Sequence, residues 1–182
     1  MSKLAINGGK PLMETFDLPE DLFRWPIVGE EDDAAVLDVL HRNRMSGNDI
    51  TQEFEREFAA WNGRRRAVCA VNGTMALQAA MFAVGLGAGD EIICPTKTYW
   101  ASCLSAQTLG ASVVFANSDP DTVCLDPADL ERCLSPWTKA IMVVHYWAHP
   151  CDMDRIAAFA RAHDLKIIED FSHAQGGRYK GK

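Results

Sequence analysis

The sequence lacks any long apolar run, and this absence excludes a protein that crosses a membrane. No apolar segment approaches the roughly 20 residues that span a bilayer as a helix. The start, Met1 to Leu4, also lacks the long apolar stretch of a signal peptide, so we expect no export signal. With 48% hydrophobic and 24% charged residues, the 182-residue chain has the composition of one soluble globular domain.

Positive charge is scarce as well. The formal net charge is −7, and the one basic run is Arg64 to Arg66. Three arginines just before an apolar run are typical of a solvated loop. A nucleic-acid-binding domain normally presents a basic face. The charge balance therefore predicts no nucleic-acid partner.

Cysteine is present, but no CxxC pair occurs. The six cysteines are Cys69, Cys94, Cys103, Cys124, Cys133 and Cys151. Several lie within apolar runs, where cysteine acts as a small hydrophobic side chain. This distribution favours a reducing compartment, and we expect a cytoplasmic protein. His145, His149, Cys151 and Asp152 could be considered as metal ligands, but their spacing matches no known zinc pattern, and we predict no metal site.

The periodicity of apolar residues predicts an α/β fold with an N-terminal helical arm. Residues 1–30 indicate an extended arm, followed by helices over 30–42 and 51–61. Strands are predicted over 67–71, 91–94, 112–116, 139–145 and 166–169, and helices over 74–84, 98–109 and 152–163, with another opening at Asp126 and Pro127. Such alternation predicts a mostly parallel sheet covered by helices on both faces. We expect an arm over 1–62 and a sheet domain over 63–182.

Candidate binding residues follow the ends of these strands, where ligands of parallel sheets bind. Gly73 and Thr74 open a helix, whose free N–H groups suit a phosphate. Asp170 ends an apolar strand, where a carboxylate suits a cationic ring nitrogen. Tyr99 could stack on a planar ligand, and His173 could reach the same ligand. Together these residues favour a phosphorylated heterocyclic cofactor, although each could instead have a purely structural role.

The sequence resembles the DegT/DnrJ/EryC1/StrS family of pyridoxal-phosphate-dependent sugar aminotransferases. The similar segments keep the family's order and spacing. They are residues 4–11, 54–59, 71–77, 87–95, 138–141, 144–146, 151–154 and 169–174. The resemblance implies the large domain of the fold-type I aminotransferases, with the remainder of that domain and the small C-terminal domain absent from the 182 residues.

The resemblance also implies a role for each candidate residue. Gly73 and Thr74 would hold the phosphate of pyridoxal 5′-phosphate (PLP), and Asp170 would pair with its pyridine nitrogen. Tyr99 would stack on the ring, and His173 would contact the ring's oxygen side. The implied reaction moves an amino group from glutamate or glutamine to a ketone on a nucleotide-linked sugar or a cyclitol, in a homodimer whose active sites lie at the subunit boundary.

Three positions depart from the family pattern. Residues 147–149 are Trp-Ala-His where glycine is usual after the tyrosine, and Asn117 stands where an acidic residue is common. The family's Schiff-base lysine lies some thirty residues beyond the aspartate, past Lys182. Lys97, Lys180 and Lys182 do not fit that position, so we predict no catalytic lysine in this sequence.

Two further functions fit the same residues. Some relatives bind PLP but dehydrate deoxysugars, with a histidine in place of the lysine. A non-catalytic fragment that associates with a full-length relative or with a missing C-terminal portion is the other alternative. A Rossmann dehydrogenase is disfavoured, because no G-x-G-x-x-G motif follows the first predicted strand.

Overall fold

The computed structural model describes residues 3–11 and 24–181, which form six α-helices and four β-strands. In chain order they are α1 Glu30–His41, α2 Asp49–Trp61, α3 Gly73–Ala83, β1 Glu91–Pro95, α4 Ala101–Leu104, β2 Ser112–Ala116, α5 Leu130–Cys133, β3 Thr138–Val144, α6 Met153–Ala162 and β4 Lys166–Asp170. None of these helices is long and apolar enough to cross a membrane.

The chain divides into two compact units, Met1–Phe54 and Glu55–Lys182. The first contains α1, and the second contains the whole sheet together with α3 to α6. The division that the sequence suggested after residue 62 stays a prediction. Part of the predicted extended arm, residues 12–23, lies outside the described residues.

The sheet has four strands in the order β2-β1-β3-β4, and every neighbouring pair is parallel. Pro95 of β1 is in register with Ala116 of β2, and Val144 of β3 is in register with Asp170 of β4. The carboxyl ends of the strands therefore meet at one edge of the sheet. The predicted α/β fold with a parallel sheet is confirmed.

The core has two halves, one on each face of the sheet. On one face Met142 of β3 packs in a cluster with Met81 of α3. On the other face Ile141 packs in a cluster with Ile156 of α6. Successive residues of a strand point to opposite faces, so β3 contributes to both halves. Five of the six cysteines are buried in this core, and all six are free thiols.

The predicted strand over 67–71 is wrong. Val68 and Val71 are 85% and 88% exposed, and the segment forms no backbone hydrogen bond with another described residue. The amide of Cys69 donates instead to the carboxylate of Glu55 at 2.7 Å. Apolar, β-branched residues alone do not make a strand, because a strand also needs a hydrogen-bonded neighbour.

The predicted helix over 98–109 is only partly formed. It consists of the short helix α4 and a 3₁₀ turn, Gln107–Leu109. Between them the hydroxyl of Ser105 donates to the carbonyl of Ala101 at 2.8 Å, and Thr108 donates to the carbonyl of Ser105 at 2.6 Å. Hydroxyl groups that compete for backbone carbonyls disturb a regular helix, which explains the interruption.

Two predicted helix boundaries are confirmed. The side chain of Asp126 accepts a hydrogen bond from the amide of Ala128 at 2.8 Å, with Pro127 at the first helical position. After α2 the chain passes through Gly63 at a φ of +62°. A left-handed residue at this place ends a helix, and glycine adopts it without steric cost.

Candidate functional site

The candidate site lies at the carboxyl edge of the sheet. Asp170 is the last residue of β4, and His173 follows it by three positions. Tyr99 lies between β1 and α4. Gly73 and Thr74 are the first two residues of α3; no strand precedes this helix among the described residues, but the helix contacts β4. Because the four strands are parallel, the loops that follow them extend from the same edge.

The first turn of α3 can receive an anion. The side chain of Asn72 accepts a hydrogen bond from the amide of Met75 at 3.0 Å, and the Asn72 carbonyl accepts one from Ala76 at 3.0 Å. The amides of Gly73 and Thr74 have no hydrogen-bond partner among the described residues. Apart from the two chain neighbours and the backbone of the helix itself, no atom lies within 4 Å of the place that a Cβ on Gly73 would occupy. Two free N–H groups at a helix N-terminus suit a phosphate.

Asp170 is a half-buried carboxylate held by two neutral donors. Its Oδ2 accepts a hydrogen bond from the hydroxyl of Ser102 at 2.8 Å, and its Oδ1 accepts one from the amide of Ser172 at 3.1 Å. The backbone carbonyl of Asp170 accepts from the amide of His145 at 3.1 Å. A carboxylate has about four acceptor positions, so both side-chain oxygens keep capacity for a ligand.

No cationic side chain within residues 3–11 and 24–181 forms an ion pair with Asp170. Lys180 pairs with Asp154, and the amine of Lys97 lies 5.8 Å from the centre of the Tyr146 ring. Lys182 is outside the described residues. A partly buried carboxylate without a cation is costly, so the donor set around Asp170 fits a positively charged group supplied by a ligand.

Tyr99 is an exposed side chain, not a core aromatic. It is 62% exposed, and its ring lies 5.2 Å from that of Trp100, which is also exposed. This exposure rules out the structural alternative considered from the sequence. Its backbone carbonyl accepts a hydrogen bond from the amide of Ser102 at 3.1 Å. The ring thus remains available to a planar ligand, while its backbone is tied to α4.

His173 is exposed and lies against one aromatic ring. The centre of its imidazole is 5.4 Å from the centre of the half-buried Tyr146 ring. Tyr146 follows β3 closely, so this contact connects the loops after β3 and β4. Among the described residues, His173 forms no hydrogen bond with Asp170, Tyr99 or Gly73 and no ring contact with Tyr99.

Ser102 is a neighbour of the candidate site that the sequence did not single out. It is 1% exposed, and its hydroxyl contacts Asp170 although 68 positions separate the two residues. Its one sequence signal is a polar side chain between Ala101 and Cys103. A serine in an apolar run is too common to mark a site without the fold.

Both ring nitrogens of His145 contact other protein groups, so neither is available to a metal. Its Nδ1 accepts a hydrogen bond from the amide of Cys151 at 3.2 Å, so the ring hydrogen lies on Nε2, which faces the Glu169 carboxylate at 3.2 Å. The hydrogen bond from His145, followed by the charge of Arg64, holds the pKa of Glu169 below its ordinary value. No cluster able to hold a metal occurs among the described residues.

The loop after β3 has an unusual backbone. Trp147 and Ala148 have φ values of +50° and +63°, in the left-handed region that L-residues seldom adopt. Such conformations cost about 1–3 kcal/mol each and persist where the surroundings impose them. The amine of Lys97 lies 6.0 Å from the centre of the exposed Trp147 ring.

The sequence matches the family model of the DegT/DnrJ/EryC1/StrS aminotransferase family over residues 26–182. The chain belongs to this family. The resemblance inferred from the separate segments is thereby confirmed, because the match extends over most of the chain rather than over one motif.

Two curated members of the family show how much of a relative this chain covers. GDP-perosamine synthase of Caulobacter vibrioides is 48% identical over 130 residues, which is 71% of this chain and 35% of that protein. L-glutamine:2-deoxy-scyllo-inosose aminotransferase of Micromonospora echinospora is 37% identical over 189 residues, which is 100% of this chain and 44% of that protein. The chain thus spans less than half the length of these relatives.

Solved structures of the family confirm the fold. An aminotransferase from Psychrobacter cryohalolentis is 39% identical, with a TM-score of 0.82 over 87% of this chain and 40% of that one. A protein from Streptococcus pneumoniae, described as a sugar aminotransferase and solved in its PLP form, is 30% identical, with a TM-score of 0.79 over 86% of this chain and 44% of that one. The predicted large-domain fold, present in part, is therefore correct.

Proposed function

We propose that this chain is the cofactor-binding part of a PLP-dependent aminotransferase that acts on a keto-sugar or a keto-cyclitol, with glutamate or glutamine as amino donor. Similarity to GDP-perosamine synthase and to L-glutamine:2-deoxy-scyllo-inosose aminotransferase supports this substrate class. One observation carries the proposal: the Asp170 carboxylate is held by the Ser102 hydroxyl and the Ser172 amide, with no cation of the described chain beside it.

The residues of the site fit PLP. Its phosphate would accept hydrogen bonds from the free amides of Gly73 and Thr74, and its protonated pyridine nitrogen would face Asp170. Tyr99 would cover one face of the ring, and His173 would contact its oxygen side. When bound, PLP supplies the electron sink for removal of a proton from the amino-bearing carbon. Asp170 keeps the ring nitrogen protonated and so maintains that electron-withdrawing power.

Two further parts of the proposal concern the lysine and the assembly. We assign no catalytic lysine to residues 1–182, so we expect no transamination by this chain alone. Lys180, one of the lysines considered from the sequence, pairs with Asp154. We further infer a homodimer, which a monomeric mass in analytical ultracentrifugation would contradict. We also infer a cytoplasmic location, since six free thiols are consistent with a reducing compartment.

Binding of pyridoxamine 5′-phosphate (PMP) to the full chain tests the cofactor site. PMP has an amine in place of the PLP aldehyde and cannot form a covalent bond with lysine, so calorimetric titration reports the non-covalent contacts alone. We expect Asp170→Asn to weaken PMP binding by about tenfold or more, because a charge-assisted contact to the pyridine nitrogen is lost.

Asp164→Asn is the matched control. The side chain of Asp164 is fully exposed and its φ of +51° is one that asparagine also tolerates, so this change should leave PMP binding unaltered. Equal PMP affinity in the wild type and Asp170→Asn would refute the proposed cofactor site. A stoichiometric borohydride-reduced PLP adduct, located on one lysine by mass spectrometry, would show that the lysine assignment is wrong.

A further inference from the structure

Ser102 has the one buried hydroxyl bound to the Asp170 carboxylate among the described residues. The side chain is 1% exposed, and its Oγ lies 2.8 Å from Oδ2 of Asp170. An ionised carboxylate can accept but not donate, so the hydroxyl of Ser102 must donate its single hydrogen to Asp170. The direction of this hydrogen bond is therefore determined by the chemistry of the pair.

Thr98 completes a chain of two hydroxyl groups. Its Oγ1 lies 2.9 Å from Oγ of Ser102. Because the hydrogen of Ser102 is already given to Asp170, Thr98 must be the donor and Ser102 the acceptor. Donation into Ser102 polarises its hydroxyl and strengthens the bond that it makes to the carboxylate.

The backbone of Ser102 is bound to Tyr99, another of the predicted cofactor contacts. Its amide donates to the carbonyl of Tyr99 at 3.1 Å. One residue of α4 is thus bound to Asp170 through its side chain and to Tyr99 through its backbone. Ser102 therefore connects the carboxylate to the backbone of the residue that carries the aromatic ring.

We propose that Ser102, supported by Thr98, is a positioning residue that orients the Asp170 carboxylate and sets its separation from Tyr99. The amide of Ser172 holds Oδ1 and the hydroxyl of Ser102 holds Oδ2, so rotation of the carboxylate is blocked from both sides. This inference rests on the proposed function, since the benefit of a fixed carboxylate is a ring nitrogen that stays protonated and in place.

The test compares Ser102→Ala with Ser105→Ala in the full chain. Ser105 is a matched control, because its buried hydroxyl belongs to the same stretch of chain but donates to the Ala101 carbonyl instead. The probe is PMP labelled with ¹⁵N in its ring. We expect Ser102→Ala to bind PMP roughly tenfold more weakly than wild type and to shift the ring ¹⁵N signal towards its unprotonated position, with neither change in Ser105→Ala.

A second measurement needs no cofactor. The ¹³C signal of the Asp170 carboxyl carbon, assigned by its loss in Asp170→Asn, should move in Ser102→Ala and stay in place in Ser105→Ala. Thr98→Val should shift the same ¹³C signal in the same direction by a smaller amount. This variant can be used for the test if Ser102→Ala does not fold.

The outcomes separate the two claims. Suppose that the wild type binds PMP and that Ser102→Ala has the same PMP affinity and the same ring ¹⁵N signal as the wild type. The positioning role is then refuted, and the proposed function stands. Thr98→Val replaces Ser102→Ala in this comparison if the latter does not fold. An unmoved ¹³C signal refutes the contact itself. If the wild type does not bind PMP, the proposed function fails, and the positioning role fails with it.

Discussion

At the scale of single residues, two buried cysteines show how one thiol changes the pKa of the other. A hydrogen bond from the Cys151 thiol, aided by the Tyr146 backbone, lowers the pKa of Cys124 to about 6, although burial opposes this shift. The same hydrogen bond, together with burial, raises the pKa of Cys151. Ionisation within this pair is therefore favoured at Cys124 over Cys151.

Substitution of Cys151 should raise the pKa of Cys124. In Cys151→Ala the donor is lost, and we expect the titration midpoint to move from about 6 towards the ordinary value of about 8.5. Cys151→Ser retains a donor and should keep the low value. The thiolate absorbance at 240 nm, measured as a difference from Cys124→Ala across pH 5–10, reports the midpoint. A midpoint that is the same in both Cys151 variants would show that the hydrogen bond is not the cause.

Sequence reasoning locates Asp170 but not the groups that orient it. A carboxylate after the apolar run 166–169 is visible from the sequence, and the structure places it at the end of β4. Ser102 is 68 positions away, and no local pattern connects the two. Contacts between loops of different strands depend on the sheet order, which the sequence does not state.

At the scale of single elements, the helix that begins with Gly73 depends on its cap. Asn72 satisfies the amide of Met75 and leaves those of Gly73 and Thr74 free. We expect Asn72→Ala to reduce the free energy of unfolding by about 1 kcal/mol, because that amide loses its partner. Asn72→Asp keeps an acceptor and should be close to wild type in urea denaturation. Equal losses in both variants would contradict the role of the side-chain acceptor.

The segment 67–71 shows where element prediction fails. Its alternation of alanine, valine and cysteine favours a strand, yet Val68 and Val71 are almost fully exposed and no neighbouring strand is bonded to them. Strand β2 has a similar apolar pattern and does form, since β1 provides its hydrogen-bond partner. Strand propensity is local, whereas the partner is a property of the whole sheet.

At the scale of the whole molecule, the two-sided core leads to a testable prediction about stability. Met142 and Ile141 are adjacent in β3, are both fully buried, and pack on opposite faces of the sheet. We expect Met142→Ala and Ile141→Ala each to cost about 2–5 kcal/mol of unfolding free energy, against about 0.5 kcal/mol or less for the exposed Val68→Ala. Urea denaturation measures all three. A small loss at either buried position would show that its face of the sheet is poorly packed.

Much of the architecture was predictable for a physical reason. Buried parallel strands give short continuous apolar runs, and the helices between them give a longer period, so their alternation indicates the sheet from the sequence. Strands β1 to β4 were each predicted to within one residue at either end. The strand order and the hydroxyl groups around Asp170 were not predictable, because both arise from contacts between distant parts of the chain.

The bond between Ser102 and Asp170 has a consequence for synthesis on the ribosome. Its acceptor is translated 68 residues after its donor, which at about 5–20 residues per second is a delay of about 3–14 s. Throughout that interval the nascent polypeptide carries the Ser102 hydroxyl without its acceptor. The contact between Ser102 and Asp170 can therefore form only after residue 170 has left the exit tunnel.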